Sequence, residues 1–273
     1  MRLPSVPAPL RFPLAVLGAL GVAALFAPWL APHAPYAQLD PIGLALQPPS
    51  AAHWFGTDPY SRDVLSRVLF GARTSLGIAT LAVAVALTLG VLIGAAAALR
   101  GGIVDAALMR LTDAALAIPR LLLLLLVVAA TGPMHPAALA AVLGATGWMT
   151  SARLVRQETR RLLATEYVRA AIALGVPRRR LWRGHILPGL LPTLAVAATV
   201  AFAAALPLEA ALSYLSFGVQ PPDASWGNII LEAENRLLRA WWLVLFPTLA
   251  IVVATLSANL LAERIAARQE GDA

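Results

Sequence analysis

The stretch TSLGIATLAVAVALTLGVLIGAAAAL, Thr74–Leu99, decides the architecture. It runs without a charge from Arg73 to Arg100. A bilayer-crossing helix needs about 20 mostly apolar residues, so this segment is long enough to span with length to spare. The rest of the chain agrees. Of its 273 residues 59% are hydrophobic and only 13% are charged, with a mean hydropathy of +0.76. A soluble domain carries roughly twice that charge. The expected fold class is therefore all-α, a polytopic membrane protein.

Working outward from Thr74–Leu99, five further apolar runs stand out. Phe12–Leu30 is the first span; with Arg2 and Arg11 ahead of it, it reads as an uncleaved helix, being long for a signal-peptide core. Val104–Ala130 is the third, with Asp105, Arg110, Asp113 and Arg120 in its first half. A tight turn at Thr131–Pro136 leads to the fourth, from Ala137 to about Ser151. Thr193–Phe217 is the fifth and Trp241–Leu261 the sixth, with Trp241 and Trp242 suited to a membrane interface.

Six spans put both termini on one side. With the ends inside, Arg2, Arg11, Arg100, Arg153, Arg156, Arg160, Arg161, Arg169, Arg178, Arg179, Arg180, Arg183, Arg264 and Arg268 are cytoplasmic. Only Arg62, Arg67, Arg73, Arg236 and Arg239 fall outside. That distribution obeys the positive-inside rule. The expected division is residues 1–73 as first span plus extracytoplasmic segment, 74–262 as transmembrane domain with a cytoplasmic loop over 152–190, and 263–273 as cytoplasmic tail. The expected location is a membrane, with both termini cytoplasmic.

Composition also excludes functions. The formal charge of +7 comes from 21 basic residues, every one Arg. Without Lys there is no phosphate loop of the Walker type and no Schiff base. Without Cys there is neither a disulfide nor thiol chemistry. Arg at membrane boundaries accounts for the charge better than nucleic acid does. His33, His53, His135 and His185 are scattered, and no catalytic motif or cofactor signature occurs. No catalytic residue and no cofactor are expected.

The densest charge lies in TEYVRAAIALGVPRRRLWRGHILPG, Thr165–Gly189. Thr165 suits an N-cap and Glu166 the first turn of a short helix. Ala170, Ala171, Ala173 and Leu174 favour helix and present a small-residue surface. Gly175 suits the position just past the helix end, and Pro177 the first turn of a second short helix. Two short helices across the membrane face could dock into a partner's groove, or could be a basic loop held by anionic membrane lipid.

Here a resemblance emerges. EYVRAAIALG…HILP resembles the EAA loop of ABC-importer permeases. Arg169, Ala170 and Ala171 stand at the Glu-Ala-Ala places, Gly175 at the Gly, and Leu187-Pro188 at the ending. FPLAVLGALGVAALFAPWLAPHAP, HWFGTDPYSRDVLSRVLFGARTSL, RGGIVDAALMRLTDAALAIP and EAALSYLSFGVQPPDASWG are similar, in order, to segments of the dipeptide/oligopeptide/nickel subfamily. The resemblance implies a type I importer permease with six transmembrane helices. It implies a second homologous permease, cytoplasmic ATP-binding subunits that hydrolyse the ATP, and an extracytoplasmic solute-binding protein. It makes Glu166, Tyr167, Arg169, Ala170, Ala171, Leu174, Gly175 and Pro177 the ATPase-coupling loop. The cargo would be peptides or a similar small solute.

Three clusters admit plainer explanations. Glu209, inside the fifth span after Pro207, either borders the translocation path or bonds a neighbouring helix; intramembrane acids face the bundle interior in either case. Arg110 and Asp113 read as an i, i+3 pair. Asp58, Asp63 and His53 match no metal template, and turn formation with an Asp63–Arg67 pair is simpler; no metal is expected. A self-sufficient secondary transporter is the rival reading, with Glu209 as its one ion-coupling candidate.

Overall fold

The computed structural model describes residues 10–271, with side chains through 269. Arg2 of the orientation argument lies outside the described residues. Among them the regular structure is helical.

The uncharged stretch is the body of α3, Val64–Arg100. The helix begins well before Arg73 because Asp63 caps it: its carboxylate accepts from the Ser66 backbone N–H at 2.8 Å, satisfying an orphan donor of the first turn. Val64, Val68 and Ala72 then bury one side of the added turns. Gly101, at φ +64°, ends α3 and reverses the chain.

The first apolar run is not one helix. α1 covers Arg11–Leu25, and the chain breaks at Phe26 before the short α2, Ala27–Leu30. Pro28 suits only the first turn of a helix, so α2 restarts rather than continues α1.

The third and fourth runs are also broken. α4, Gly102–Leu116, and α5, Arg120–Thr131, meet at 83°. The cause is Pro119, whose ring disfavours helical backbone at Ile118 and leaves Pro119 itself extended. α6, Pro136–Ala145, and α7, Trp148–Leu163, meet at 47° across Thr146-Gly147. The helix begun in the fourth run therefore continues past Ser151 as a strongly charged segment.

α10, Leu187–Tyr214, carries Pro192 and Pro207 inside it. The short α11 covers Trp226–Leu231, and α12 runs from Trp242 to Gly271. By length and apolarity three helices can cross a membrane alone, and the two bent pairs raise this to five; α1 is a shorter apolar helix.

Close packing depends on small residues. Gly90 lies against Ser151 and Ala152, Gly94 against the Ala152 carbonyl, and Gly144 against Ala82 and Val85. These contacts seat α6 and α7 on α3 with the backbones nearly touching, the usual way helices associate where lipid provides no hydrophobic drive. α10 and α12 pack together and, with α1, complete the bundle around α3. Trp242 is not an interface anchor: it is buried, and its ring N–H donates to the Thr57 carbonyl at 3.0 Å. Its neighbour Trp241 is half-exposed.

Candidate coupling surface and intramembrane site

The loop after α7 is ordered around α8, Glu166–Ala173. Val168, fully buried, inserts among Leu162, Leu181, Ile186 and Leu190. That one valine roots the helix. Around it Glu166, Arg169 and Ala170 are exposed, as are Tyr167 at 51% and Leu174 at 85%. Ala171 is partly buried against the same cluster as Val168. The outer face thus combines small, apolar and charged groups.

The helix end is closed by two crossed bonds. Gly175, at φ +75°, donates to the Ile172 carbonyl at 3.0 Å, and Val176 donates to Ala171 at 3.1 Å. This is the paired termination that a left-handed glycine permits. Thr165 occupies the N-cap position, but its hydroxyl donates to the Leu162 carbonyl at 2.6 Å and does not cap α8.

The expected second short helix is not separate. Pro177 precedes α9, Arg178–Leu181, which widens through a π turn at Trp182–Ile186 and becomes α10. Pro188 has no N–H to give an ordinary helical bond, and the wider turn lies just ahead of it. Pro177, Arg179, Arg180, Arg183 and Gly184 line an open cavity of about 460 Å³.

α4 lies along α7. Asp105 receives Arg156, with Nη2 2.7 Å from Oδ2, and Arg160 at 2.5 Å; Asp113 pairs with Arg153. The expected Arg110–Asp113 pair does not form, because α7 offers three arginines at helical spacing along one side. Arg110 is exposed instead.

Where the two helix breaks meet stands Arg120. Its Nη2 donates to the Leu143 carbonyl at 2.7 Å, near the end of α6, and its Nε is buried without a partner. Sequence reading recorded Arg120 only as one charge within the third run. Its signal was legible: a lone cation between Pro119 and an unbroken run of leucines.

Glu209 is fully enclosed, 0% exposed. Oε1 accepts from the Ser213 hydroxyl at 2.7 Å. Its other oxygen, Oε2, is buried without a hydrogen-bond partner. Glu209 is thus enclosed in the bundle and bonded one turn along its own helix.

Near the Val64 end of α3, Asp58 and Glu232 enclose two arginines. Arg62 reaches Asp58 at 2.5 Å and Glu232 at 2.7 Å; Arg67 reaches Asp58 at 2.6 Å and pairs with Glu232. Burial alone would lower the Arg62 guanidinium, but Glu232 and Asp58 outweigh it and hold it above its ordinary value. The expected Asp63–Arg67 pair is absent. Asp63 instead holds the cap and accepts His53 Nδ1 at 3.0 Å. His33 joins them, placing one ligand-type atom from each of His33, His53 and Asp63 within 4.8 Å. Both Asp63 oxygens already have protein partners there.

The chain belongs to the family of binding-protein-dependent transport system inner membrane components, which matches residues 86–271. It is 35% identical over 253 residues to a dipeptide transport system permease protein of Bacillus subtilis, covering 92% of this chain and 78% of that one. It is 35% identical to an oligopeptide transport system permease protein of Mycobacterium bovis, covering 90% and 84%, and 37% identical to a di/tripeptide permease of Pseudomonas aeruginosa, covering 88% and 80%. Its fold is that of the MetNI methionine ABC transporter in inward-facing conformations, with a TM-score of 0.57 at 16% identity over 74% of this chain and 97% of that one. The chain is therefore a multi-pass inner-membrane permease subunit of an ABC importer with the type I fold. Its relatives are transport permeases rather than enzymes, and a self-sufficient transporter is the weaker reading.

Proposed function

We propose that this permease forms half of a path for peptides, with both termini cytoplasmic and a second homologous permease as the other half. The exposed leucines of α4 and α5, Leu111, Leu122 and Leu126, suit that partner or lipid. ATP is hydrolysed by cytoplasmic ABC subunits. An extracytoplasmic solute-binding protein delivers cargo on the side of Asp58 and Glu232. The peptide assignment rests on the similarity to the dipeptide, di/tripeptide and oligopeptide permeases.

The observation that carries the coupling role is the division of α8 into a rooted face and a free one. Val168 fixes the helix to the transmembrane bundle, so a force on Tyr167, Ala170 or Leu174 cannot be absorbed by a floppy loop. Glu166 and Arg169 supply charged contacts at its edge, and Gly175 and Pro177 set its exit. Glu209, fully enclosed and bonded to Ser213 on its own helix, is better suited to a place in the packing of α10 than to touching cargo.

Mild-detergent purification of the tagged chain, with cross-linkers placed along Glu166–Gly175, tests this reading. A second permease and an ABC ATPase should come with it, the ATPase cross-linked through Tyr167 or Leu174. A chain that purifies alone, with no ATPase captured by those cross-linkers, would sink the assembly.

A further inference from the structure

Arg120 has no acidic partner among the described residues. The carboxylates nearest along α4, Asp105 and Asp113, are taken by Arg153, Arg156 and Arg160. One Arg120 amino group holds the Leu143 carbonyl, which the α6–α7 break leaves without its helical donor. Its Nε is enclosed and unused. Room for the guanidinium is built into the neighbouring helix break: a Cβ at Gly147 would stand 2.7 Å from Nη2.

The depth of this group matters. Gly144 packs on Ala82 and Val85, about 12–17 Å along α3 from Thr74 at 1.5 Å per residue. That is near the middle of the uncharged stretch. A cation at such depth faces the bundle interior or a water-filled cavity, not lipid. Non-helical backbone at the same depth, here supplied by both helix breaks, obeys the same restriction. Further along, the arginines of α7, Arg153, Arg156 and Arg160, are paired with Asp113 and Asp105 of α4, which leaves the charge of Arg120 uncompensated among the described residues.

We propose that Arg120 is an anion-binding site on the translocation path, which receives a carboxylate of the transported solute halfway across the membrane. This rests on the permease reading above. A guanidinium presents a planar fork that matches a carboxylate, and with one amino group held by Leu143 its remaining donors are oriented before the solute arrives. A single such contact binds and also releases, as a conducting site requires.

The test uses the purified complex of this chain with its native permease and ATPase partners, without the binding protein. Saturation-transfer NMR compares dialanine with its C-terminal amide. The wild-type complex should contact dialanine about tenfold more strongly than the amide, the size of one charge-assisted hydrogen-bonded contact. Arg120→Met should abolish that discrimination in a complex that still assembles, and Arg120→Lys should retain part of it. Equal discrimination by wild type and Arg120→Met overturns the site, as does a wild-type complex with no dialanine signal. If Arg120→Met splits the two permeases apart and Arg120→Lys rejoins them, Arg120 pairs with an acid of the partner subunit and the proposal falls. ATP-driven dialanine uptake by the same complex, reconstituted in vesicles with its binding protein, reports separately on the permease reading. Uptake that persists beside a failed NMR test removes the Arg120 site alone.

Discussion

Arg67 and Glu232 stand 165 residues apart and meet as a two-armed ion pair, Nη2 lying 3.0 Å from Oε1 while Nη1 meets Oε2. The same guanidinium holds buried Asp58. The segment before α3 is thereby fastened to the end of α11. Arg67→Met leaves Asp58 and Glu232 to Arg62 alone and should cost about 1–3 kcal/mol, below the full penalty for a buried charge left unpaired. Thermal unfolding in detergent should show a clear fall in Tm; an unchanged Tm would remove this lock from the account.

Gly175 is the next case. Nothing lies within 4 Å of a Cβ added there, so a substitution acts through backbone strain at φ +75° and not through crowding. Gly175→Asp adds a charged group to that strained turn and should uncouple uptake from ATP hydrolysis while insertion stays normal. Strain of roughly 1–2 kcal/mol is expected. Wild-type uptake by this variant would contradict the coupling role.

Val168 and Leu174 belong to one short segment yet should fail differently. Val168→Ala removes buried methyl groups at the root of α8 and should lower stability by about 1–2 kcal/mol. Leu174→Ala touches an exposed side chain, so stability should move by less than about 0.5 kcal/mol, while ATPase binding weakens. Melting curves and ATPase pull-downs on both variants check the contrast.

Two glycines of α3 give a further contrast. Gly94 lies against the Ala152 carbonyl, whereas Gly77 has nothing within 4 Å. Gly94→Leu should push α7 off α3 at a cost of about 1–3 kcal/mol, and Gly77→Leu should leave the fold intact. Equal melting of the two variants would show that backbone contact at Gly94 does not hold α7 to α3.

Sequence made some of this plain. An uncharged run such as Thr74–Leu99 has one economical solution in a bilayer, and a glycine after a short alanine-rich helix has one favoured place. Pro119 marked a break that hydropathy hid, because leucines continue on its far side. The partners of Arg67, Asp63 and Asp113 were not legible. Local spacing offered Asp63–Arg67 and Arg110–Asp113, and tertiary packing supplied Glu232, His53 and Arg153 instead. Trp242 illustrates the same limit: its neighbour Trp241 is half-exposed, while its own ring N–H is committed to Thr57.

The helical path from Arg178 to Tyr214 is unbroken through α9, the π turn and α10. At 1.5 Å per residue it is a rod of about 55 Å. One end emerges beside α8; the other holds Glu209 and Ser213 beneath α11. On the coupling role proposed for α8, a thrust delivered at the arginine end would reach the opposite face through a single covalent shaft, with no relay of side chains between. Along that shaft the α geometry widens at Trp182–Ile186, next to the arginine end.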